Sequence, residues 1–531
     1  MRRLFVFALT MLLCNSHYAQ ELADIAIVNA KILDGTGNPW FRGDIIIHNG
    51  KIREILPVGK GSATRIIDAK GLIVTPGFID VHTHFDGNEF KNPGAGNYIY
   101  DGVTTILVGN CGSSRVNIKN YLTQLDSLQL AINVGTLMGH STLRRNVVGT
   151  HANRAPTEAE MVKMEQMLER AMRDGAFGLS TGLIYIPGTY AKTDEVVRLA
   201  KVSASFDGVY ATHMRDEADS VLAAIREAIQ IGRESGARVQ LSHLKASGHN
   251  NWGKAEKILE LISDARAEGI EVVVDSHPYI AGSTHLSTLL PPESLTDGKD
   301  SILARLRNPK SRAALKKYLL ADLNKKKLKN FDYAVVASFD PEPAMIGKSI
   351  VEINKQRGRK SNAENEAETI LELMETGVVN NNNFGGEMIY YTISEDDLQT
   401  ILKYPHNICI SDAGIRLHGG KELLHPRAYG SNARVLGRYV RELKIITLED
   451  AVRRMTSLPA QQFQIENKGQ LRPGFDADVL VFDPDKITDK ATFESPYQYS
   501  EGIQYVLVNG KVVLDNGEHT GTRPGKTIRK K

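Results

Sequence analysis

Short apolar runs rich in β-branched residues recur along the chain and divide it into three territories. Between residues 24 and 74 they alternate with turns: Ile25-Ala-Ile-Val-Asn29, Ile45-Ile-Ile-His48 before Asn49-Gly50, and Ile66-Ile-Asp68 before Gly71. Asn-Gly between apolar runs signals a hairpin, because the favoured two-residue turn needs positive φ at both central positions. The same grammar returns in Ala477-Asp-Val-Leu-Val-Phe482 and in Tyr505-Val-Leu-Val508 before Asn509-Gly510. Each stretch alone is too short to bury a core. The two are therefore expected to build one small β-domain from residues 21–74 and 465–520.

From 75 to 464 apolar strands alternate with helical patterns such as 158–174 and 219–234, the rhythm of parallel strands with helical crossovers. The fold class expected is α/β: a distorted TIM-type (β/α)8 barrel with a small β-sandwich domain built from both termini. Residues 286–400 break the rhythm with Pro291-Pro292, a lysine-rich stretch over 315–330 and an acidic one over 362–376. That is too long for one loop, so an inserted subdomain or lid is expected there. Lys325-Lys-Lys327 reads as a solvated helix face rather than an anion site. The basic, glycine-containing tail 521–531 is expected to be disordered.

The N-terminus places Arg2 and Arg3 before the apolar run Leu4 to Leu13, then a short polar stretch to Ala19 and Gln20. Ten apolar residues cannot span a bilayer but suit a secretory signal peptide over residues 1–20. Cys14 raises a lipid-anchored alternative, against which Leu13 is bulky where such signals want a small residue. The reading is export, to a periplasm, with no membrane attachment after cleavage. Charged residues are 24% of the 531 and the net charge is +3, too balanced for nucleic acid or a membrane surface. Small-molecule chemistry stays open. Beyond the leader only Cys111 and Cys409 remain, so disulfides do not hold this chain together. Cys409, in Asn407-Ile-Cys-Ile-Ser411, reads as a buried structural thiol.

The chemistry begins at Thr75-Pro-Gly-Phe-Ile-Asp-Val-His-Thr-His84. Alternate side chains of an extended strand share a face, so His82 and His84 can converge on one cation. Four later apolar runs also end in ligand-type residues: Cys111, His213, His243 and Asp412. Parallel barrels present their strand C-termini on one face and build active sites there. Imidazole and thiolate donors favour zinc over magnesium or calcium. Zinc lowers the pKa of a bound water from 15.7 to about 7. Asp412 is placed to orient that water, accept its proton and deliver a proton to a leaving nitrogen.

The set of motifs resembles the amidohydrolase superfamily, and within it the N-acyl-D-amino-acid deacylase (D-aminoacylase) family. The residues that carry the resemblance are Gly102-Val-Thr-Thr105 leading to Gly109-Asn-Cys-Gly112, Gly139-His-Ser-Thr-Leu-Arg144, Gly178-Leu-Ser-Thr-Gly-Leu183 with Tyr185 and Pro187-Gly188, and Ser242-His-Leu-Lys245. Pro278-Tyr-Ile-Ala-Gly-Ser-Thr284 and Ser411-Asp412 followed by His425-Pro-Arg427 complete it, and matches run from about residue 24 to 512. The resemblance implies hydrolysis of N-acyl-D-amino acids to a carboxylate and a free D-amino acid. It implies a tightly held zinc on Cys111, His213 and His243, with His82 and His84 beside a second, weaker position bridged by the same sulfur. It implies Asp412 as the catalytic aspartate, and Lys245, Ser283 and Arg427 as holders of the substrate's free carboxylate.

The chain departs from the family's usual Tyr-Pro-Tyr at His277-Pro-Tyr279, leaving His277 either to bind substrate or to pack. The segment between Asp412 and His425 is longer and carries Arg416, His418 and Lys421. Tyr185 and Tyr190 are candidates for the pocket lining, and His140 and Arg144 for support of the metal loops. The alternatives carried are a hydrolase of cyclic amides, as in dihydroorotases and hydantoinases, or of dipeptides, and a non-catalytic binder of amino-acid derivatives. The sequence sets no oligomeric state.

Overall fold

The computed structural model describes residues 22–85, 87–380 and 385–531. The export signal expected over 1–20, with Cys14 in it, lies outside the described residues.

Parallel strands follow one another in ring order through the middle of the chain. Phe78–Asp80, Val103–Val108 and Asn133–Thr136 form one ladder. Met138–Gly139, Gly178–Gly182, Val209–His213, Arg238–Leu241, Val272–Ser276 and Asn407–Cys409 form the next. Leu137 joins the two: its N–H donates to the Val108 carbonyl (2.9 Å), while the Phe177 N–H donates to that of Thr136 (2.9 Å). At the other seam the Asp412 N–H donates to the His82 carbonyl (3.1 Å) and the His84 N–H to that of Ala413 (2.8 Å). This seam lies beyond the ends of its strands, which is where the barrel departs from a regular one. Ile79, Leu107, Phe177, Val209, Val273 and Ile408 fill the interior.

The outer helices follow from pattern and caps. Glu158–Arg173 buries Met161, Met164, Leu168, Ala171 and Met172, a one-sided stripe, and starts with a Thr157–Glu160 capping box. It stops before Gly175, whose φ of 104° no helix continues through.

The terminal strands form one nine-stranded sheet, in which Ile73–Pro76 from the N-terminal half pairs with Val479–Phe482 from the C-terminal half. The sheet curls until its edge strand Lys51–Leu56 meets the chain leading into Val479: the Ile52 N–H donates to the Phe475 carbonyl (2.9 Å) and the Gly474 N–H to that of Ile52 (2.8 Å). Ile27, Ile45, Ile47, Ile52, Val74 and Val481 pack inside the curl.

The tail corrects the expectation of disorder. Ile528 N–H donates to the Val134 carbonyl (2.9 Å), and Val134 N–H to that of Lys526 (3.0 Å), a parallel bridge beside a barrel strand. Ile528 packs on the barrel interior, and Thr527 and Arg529 bind the Asp126 carboxylate at 2.7 Å each. Basic composition hid these contacts because they are made to residues about 400 positions away.

Residues 286–400 fold around their own core of Leu319, Phe331, Ile350, Ile370, Leu371 and Met374. Their strands Ala334–Ser338 and Glu387–Tyr390 form an antiparallel sheet with Gly282–His285. Lys325 pairs with Asp219 at 2.6 Å while staying largely exposed.

Helix Arg427–Arg434 is broken at Gly430, and Asp101 holds the break. Its carboxyl accepts from the backbone N–H groups of Asn432 (2.8 Å) and Ala433 (3.0 Å), from Asn432 Nδ2 (3.0 Å) and from Ser500 Oγ (3.1 Å). Burial pushes this carboxyl up to about 7, against the pull of those hydrogen bonds. The folded value lies above the unfolded one, so the contribution to stability is fully present below about pH 4 and is lost as pH climbs through about 7. Urea unfolding across pH 4–8 is expected to give Asp101→Asn a flatter slope than the wild type. Asp101→Ala, which strands several buried donors, is expected to cost at least about 1–3 kcal/mol.

Candidate metal centre

The C-terminal ends of the barrel strands bring five predicted ligands and the aspartate together. His82 and His84 follow Phe78–Asp80, Cys111 follows Val103–Val108, His213 ends Val209–His213, His243 follows Arg238–Leu241 and Asp412 follows Asn407–Cys409. Cys111 Sγ stands 3.4 Å from His82 Nε2, 3.8 Å from His213 Nδ1 and 3.7 Å from His243 Nε2. Tetrahedral zinc, with bonds of about 2.3 Å to sulfur and 2.0 Å to nitrogen, separates such donors by about 3.5 Å. The sulfur with the imidazoles of His82 and His243, whose donor atoms all lie within 4.8 Å of one another, therefore fits zinc. His82 Nε2 lies 3.5 Å and His84 Nε2 2.9 Å from Asp412 Oδ1, a second grouping that shares His82 with the first.

Backbone geometry aims these groups. Cys111, His243 and Asp412 have φ of 51°, 35° and 50°, left-handed values that cost a non-glycine residue about 1–3 kcal/mol each. Asn110 stitches the Cys111 turn to the histidine pair, its Nδ2 donating to the carbonyls of Val81 (3.0 Å), Leu107 (3.0 Å) and Thr83 (3.3 Å). At Gly182 a Cβ would meet the Cys111 carbonyl oxygen at 2.3 Å, so only glycine lets that strand lie against the turn. Helix His140–Val147 braces the following loop, with the Thr142 N–H donating to the Gly112 carbonyl (3.1 Å). That helix is fixed in turn by His140 (2.8 Å) and Arg144 (2.5 Å) on the buried Glu195 carboxylate.

Arg427 Nη1 pairs with Asp412 Oδ2 at 2.6 Å, and both side chains are buried. Burial pushes the Asp412 carboxyl up, but Arg427, His243 and the hydrogen bond from His84 hold it well below the usual carboxylate range. The remaining guanidinium nitrogens of Arg427 have no protein partner among the described residues. His277 is buried and its Nδ1 is unpartnered. Burial, with Arg427 and His425 beside it, holds this imidazole well below its ordinary value, so it is neutral.

The other expected substrate holders are Lys245 and Ser283. Lys245 Nζ lies 2.7 Å from Glu217 Oε1 and donates to the His243 carbonyl at 2.8 Å. Ser283 stands on Gly282–His285 opposite Ile389, with no hydrogen bond to the cluster among the described residues. It is the neighbouring Thr284 whose hydroxyl meets Tyr185 at 3.0 Å, and the Tyr185 ring lies edge-on to His213 at 4.7 Å. Tyr190 Oη is buried without a partner. Cys409 is buried, and burial pushes its thiol well above the ordinary range.

Sequence reasoning missed two carboxylates. Asp275 accepts from the His243 N–H (2.5 Å) and Gln240 Nε2 (2.7 Å) and lies 3.3 Å from His82 Nδ1. Glu217 lies 2.8 Å from His243 Nδ1 and 3.6 Å from His213 Nε2. An aspartate ending the apolar run Val272-Val-Val-Asp275 was a readable signal, whereas Glu217, in the polar Met214-Arg-Asp-Glu217, gave none.

Burial pushes the Cys111 thiol up, but His82 and the hydrogen bonds from His213, His243 and His82 outweigh it and hold it well below the thiol range. Burial pulls His82 down, yet Asp275 and Cys111 raise it well above its ordinary value. Burial and Lys245 likewise pull His243 down, but Glu217, Asp412 and Cys111 bring it to about 9. Both imidazoles thus carry protons that zinc must displace. Calorimetry of chelator-stripped protein in buffers of different ionisation enthalpy is expected to show protons released on zinc binding at pH 7. Affinity is expected to rise from pH 6 to 9; a pH-independent affinity would contradict this.

The amidohydrolase family model matches residues 65–288 and 423–514. A D-aminoacylase of Alcaligenes xylosoxydans xylosoxydans is 32% identical over 95% of this chain and 97% of its own length. An N-acyl-D-aspartate deacylase of the same organism is 34% identical over 96% of each. The crystal structure of N-acyl-D-glutamate deacylase from Bordetella bronchiseptica, complexed with zinc and a phosphonate inhibitor, superposes with a TM-score of 0.79 at 34% identity, covering 96% of this chain and all of that one. Likeness of this extent, spanning barrel, insert and terminal sheet together, makes the chain a member of the amidohydrolase family in its N-acyl-D-amino-acid deacylase branch.

Proposed function

We propose that this protein is a zinc-dependent amidohydrolase that cleaves the linear amide of N-acyl-D-amino acids to a carboxylate and a free D-amino acid. The observation that carries the reading is the meeting of the Cys111 sulfur with three imidazoles directly beside the buried Asp412–Arg427 pair. Cys111, His213 and His243 would hold the zinc, with His82 and His84 at a second position. Zinc supplies Lewis acidity and a water reactive at neutral pH.

Asp412, kept ionised by Arg427, accepts the proton of the attacking water and returns one to the leaving nitrogen. Its Oδ1 is held by His84 at 2.9 Å and its Oδ2 by Arg427 at 2.6 Å, so the carboxylate cannot rotate away. The unused guanidinium nitrogens of Arg427 suit a planar carboxylate, which two parallel hydrogen bonds fix in orientation. His277 adds a neutral donor: a buried, unpartnered Nδ1 is better left as a lone pair, which puts the proton on Nε2. The substrate is thus a small molecule with a free carboxylate. The N-terminal Arg2, Arg3 and Leu4 to Leu13 support export to a periplasm, where D-residues from cell-wall turnover or N-acylated D-amino acids from outside are available.

Hydrolysis of a panel of N-acetyl D- and L-amino acids, with zinc analysis of the same sample, is expected to show activity on D-substrates. Turnover of a hydantoin or dihydroorotate ring but of no linear amide would replace the proposal with a cyclic-amide hydrolase. Asp412→Asn is expected to lower kcat by roughly 10²–10⁴-fold while keeping its zinc. Fractionated cells are expected to hold the full-length product in the periplasm and a variant lacking residues 2–20 in the cytoplasm.

A further inference from the structure

We infer that His425 is the positioning residue of Arg427: its ring ties the first N–H of the helix that carries Arg427 to the Ala281 carbonyl, and so fixes Arg427 against the segment that carries His277 and Ser283. The inference rests on the proposed reading of Arg427 as a holder of the substrate's carboxylate.

Helix Arg427–Arg434 begins without an ordinary cap, because Pro426 offers no side-chain acceptor to the N–H groups that a first turn leaves unpaired. The His425 imidazole fills that place. The Arg427 N–H donates to His425 Nδ1 at 3.1 Å, and His425 Nε2 lies 2.9 Å from the Ala281 carbonyl oxygen. Both partners are backbone groups of fixed polarity, since an N–H only donates and a carbonyl only accepts. The ring is therefore neutral with its proton on Nε2, the one state that satisfies both. A second proton, on Nδ1, would face the Arg427 N–H and break the link.

The link joins two distant parts of the chain. Ala281 is buried and packs with Ala337 and Ile389 of the insert, and it stands in sequence between His277 and Ser283. At the other end of the link, Arg427 holds Asp412 at 2.6 Å. Asp101 secures this helix at its break through the N–H groups of Asn432 and Ala433, and His425 secures its start. The His425 ring is itself gripped. Tyr279 and Phe493 meet it edge-on at 5.3 Å and 5.0 Å, and His277 lies 5.6 Å away. The titratable and charged groups that face it are Arg427 and Arg434 on the helix, Asp412, and its ring neighbours His277 and Tyr279. Burial and Arg427, with Arg434, hold the imidazole well below its ordinary value, against the Ala281 carbonyl and Asp412. The neutral form that the two backbone partners require therefore persists at neutral pH.

The test combines kinetics of the zinc-loaded, full-length protein on N-acetyl-D-amino acids with the ring-nitrogen signals of protein labelled with ¹⁵N-histidine. His425→Phe keeps the bulk of the ring and loses both bonds; His425→Asn keeps an acceptor for the Arg427 N–H and loses the reach to Ala281. KM in His425→Phe is expected to rise roughly 10–100-fold, the worth of a hydrogen bond to a charged group, with a smaller fall in kcat and unchanged zinc content. His425→Asn is expected to fall between that variant and the wild type. The His425 signals, assigned by their loss in either variant, are expected to show a bare Nδ1 and a protonated Nε2 throughout about pH 5.5–8. Wild-type KM in both variants overturns the inference, as does a fall in kcat alone, which marks a merely structural ring. A protonated Nδ1 in the wild type overturns it whether or not the variants fold. Absence of wild-type turnover on every N-acyl-D-amino acid overturns instead the reading of function beneath it.

Discussion

Burying charge in a protein interior is tolerable only when the charges cancel, and the cluster at the top of the barrel is organised by that requirement. The Cys111 thiolate and the carboxylates of Glu217, Asp275 and Asp412 face two imidazoliums, His82 and His243, and the cations Lys245 and Arg427. Four negative groups meet four positive ones. A lost partner on either side would leave a stranded charge.

The barrel supplies the convergence and local strain supplies the aim. Strand ends alone bring the donors to one face; the positive φ values at Cys111, His243 and Asp412 turn them inward. Such conformations persist when surroundings over-determine them, which here means Asn110 beneath the cysteine turn and the backbone bonds of the seam between His82 and Ala413. Metal binding, acting on the folded state alone, adds to the same side. The seam is also the irregular edge of the barrel, so the short distance between His84 and Asp412 and the distortion of the ring have one origin.

What could be read from the sequence was what local pattern records. His82 and His84 announce themselves by period-two spacing, and Cys111, His213, His243 and Asp412 by ending apolar runs. Hairpin turns at Asn49-Gly50 and Asn509-Gly510 marked the terminal sheet. Glu217 left no trace, because a glutamate among Arg215, Asp216 and Asp219 is indistinguishable from a solvated loop until the fold closes over it. Its contact with Lys245 was invisible for the same reason. The docking of Ile528 rests on one apolar residue meeting a barrel strand nearly four hundred positions earlier, and no composition rule records such a meeting.

That docking has a consequence for how the molecule comes into being. The barrel strand at Val134 and the segment around Ile528 are neighbours in space but are separated by nearly four hundred residues of synthesis. The native architecture cannot be completed before the segment around Ile528 has been made, and contacts of such long range assemble slowly. Until that segment arrives, the backbone of Val134 lacks the two hydrogen bonds it makes with Lys526 and Ile528.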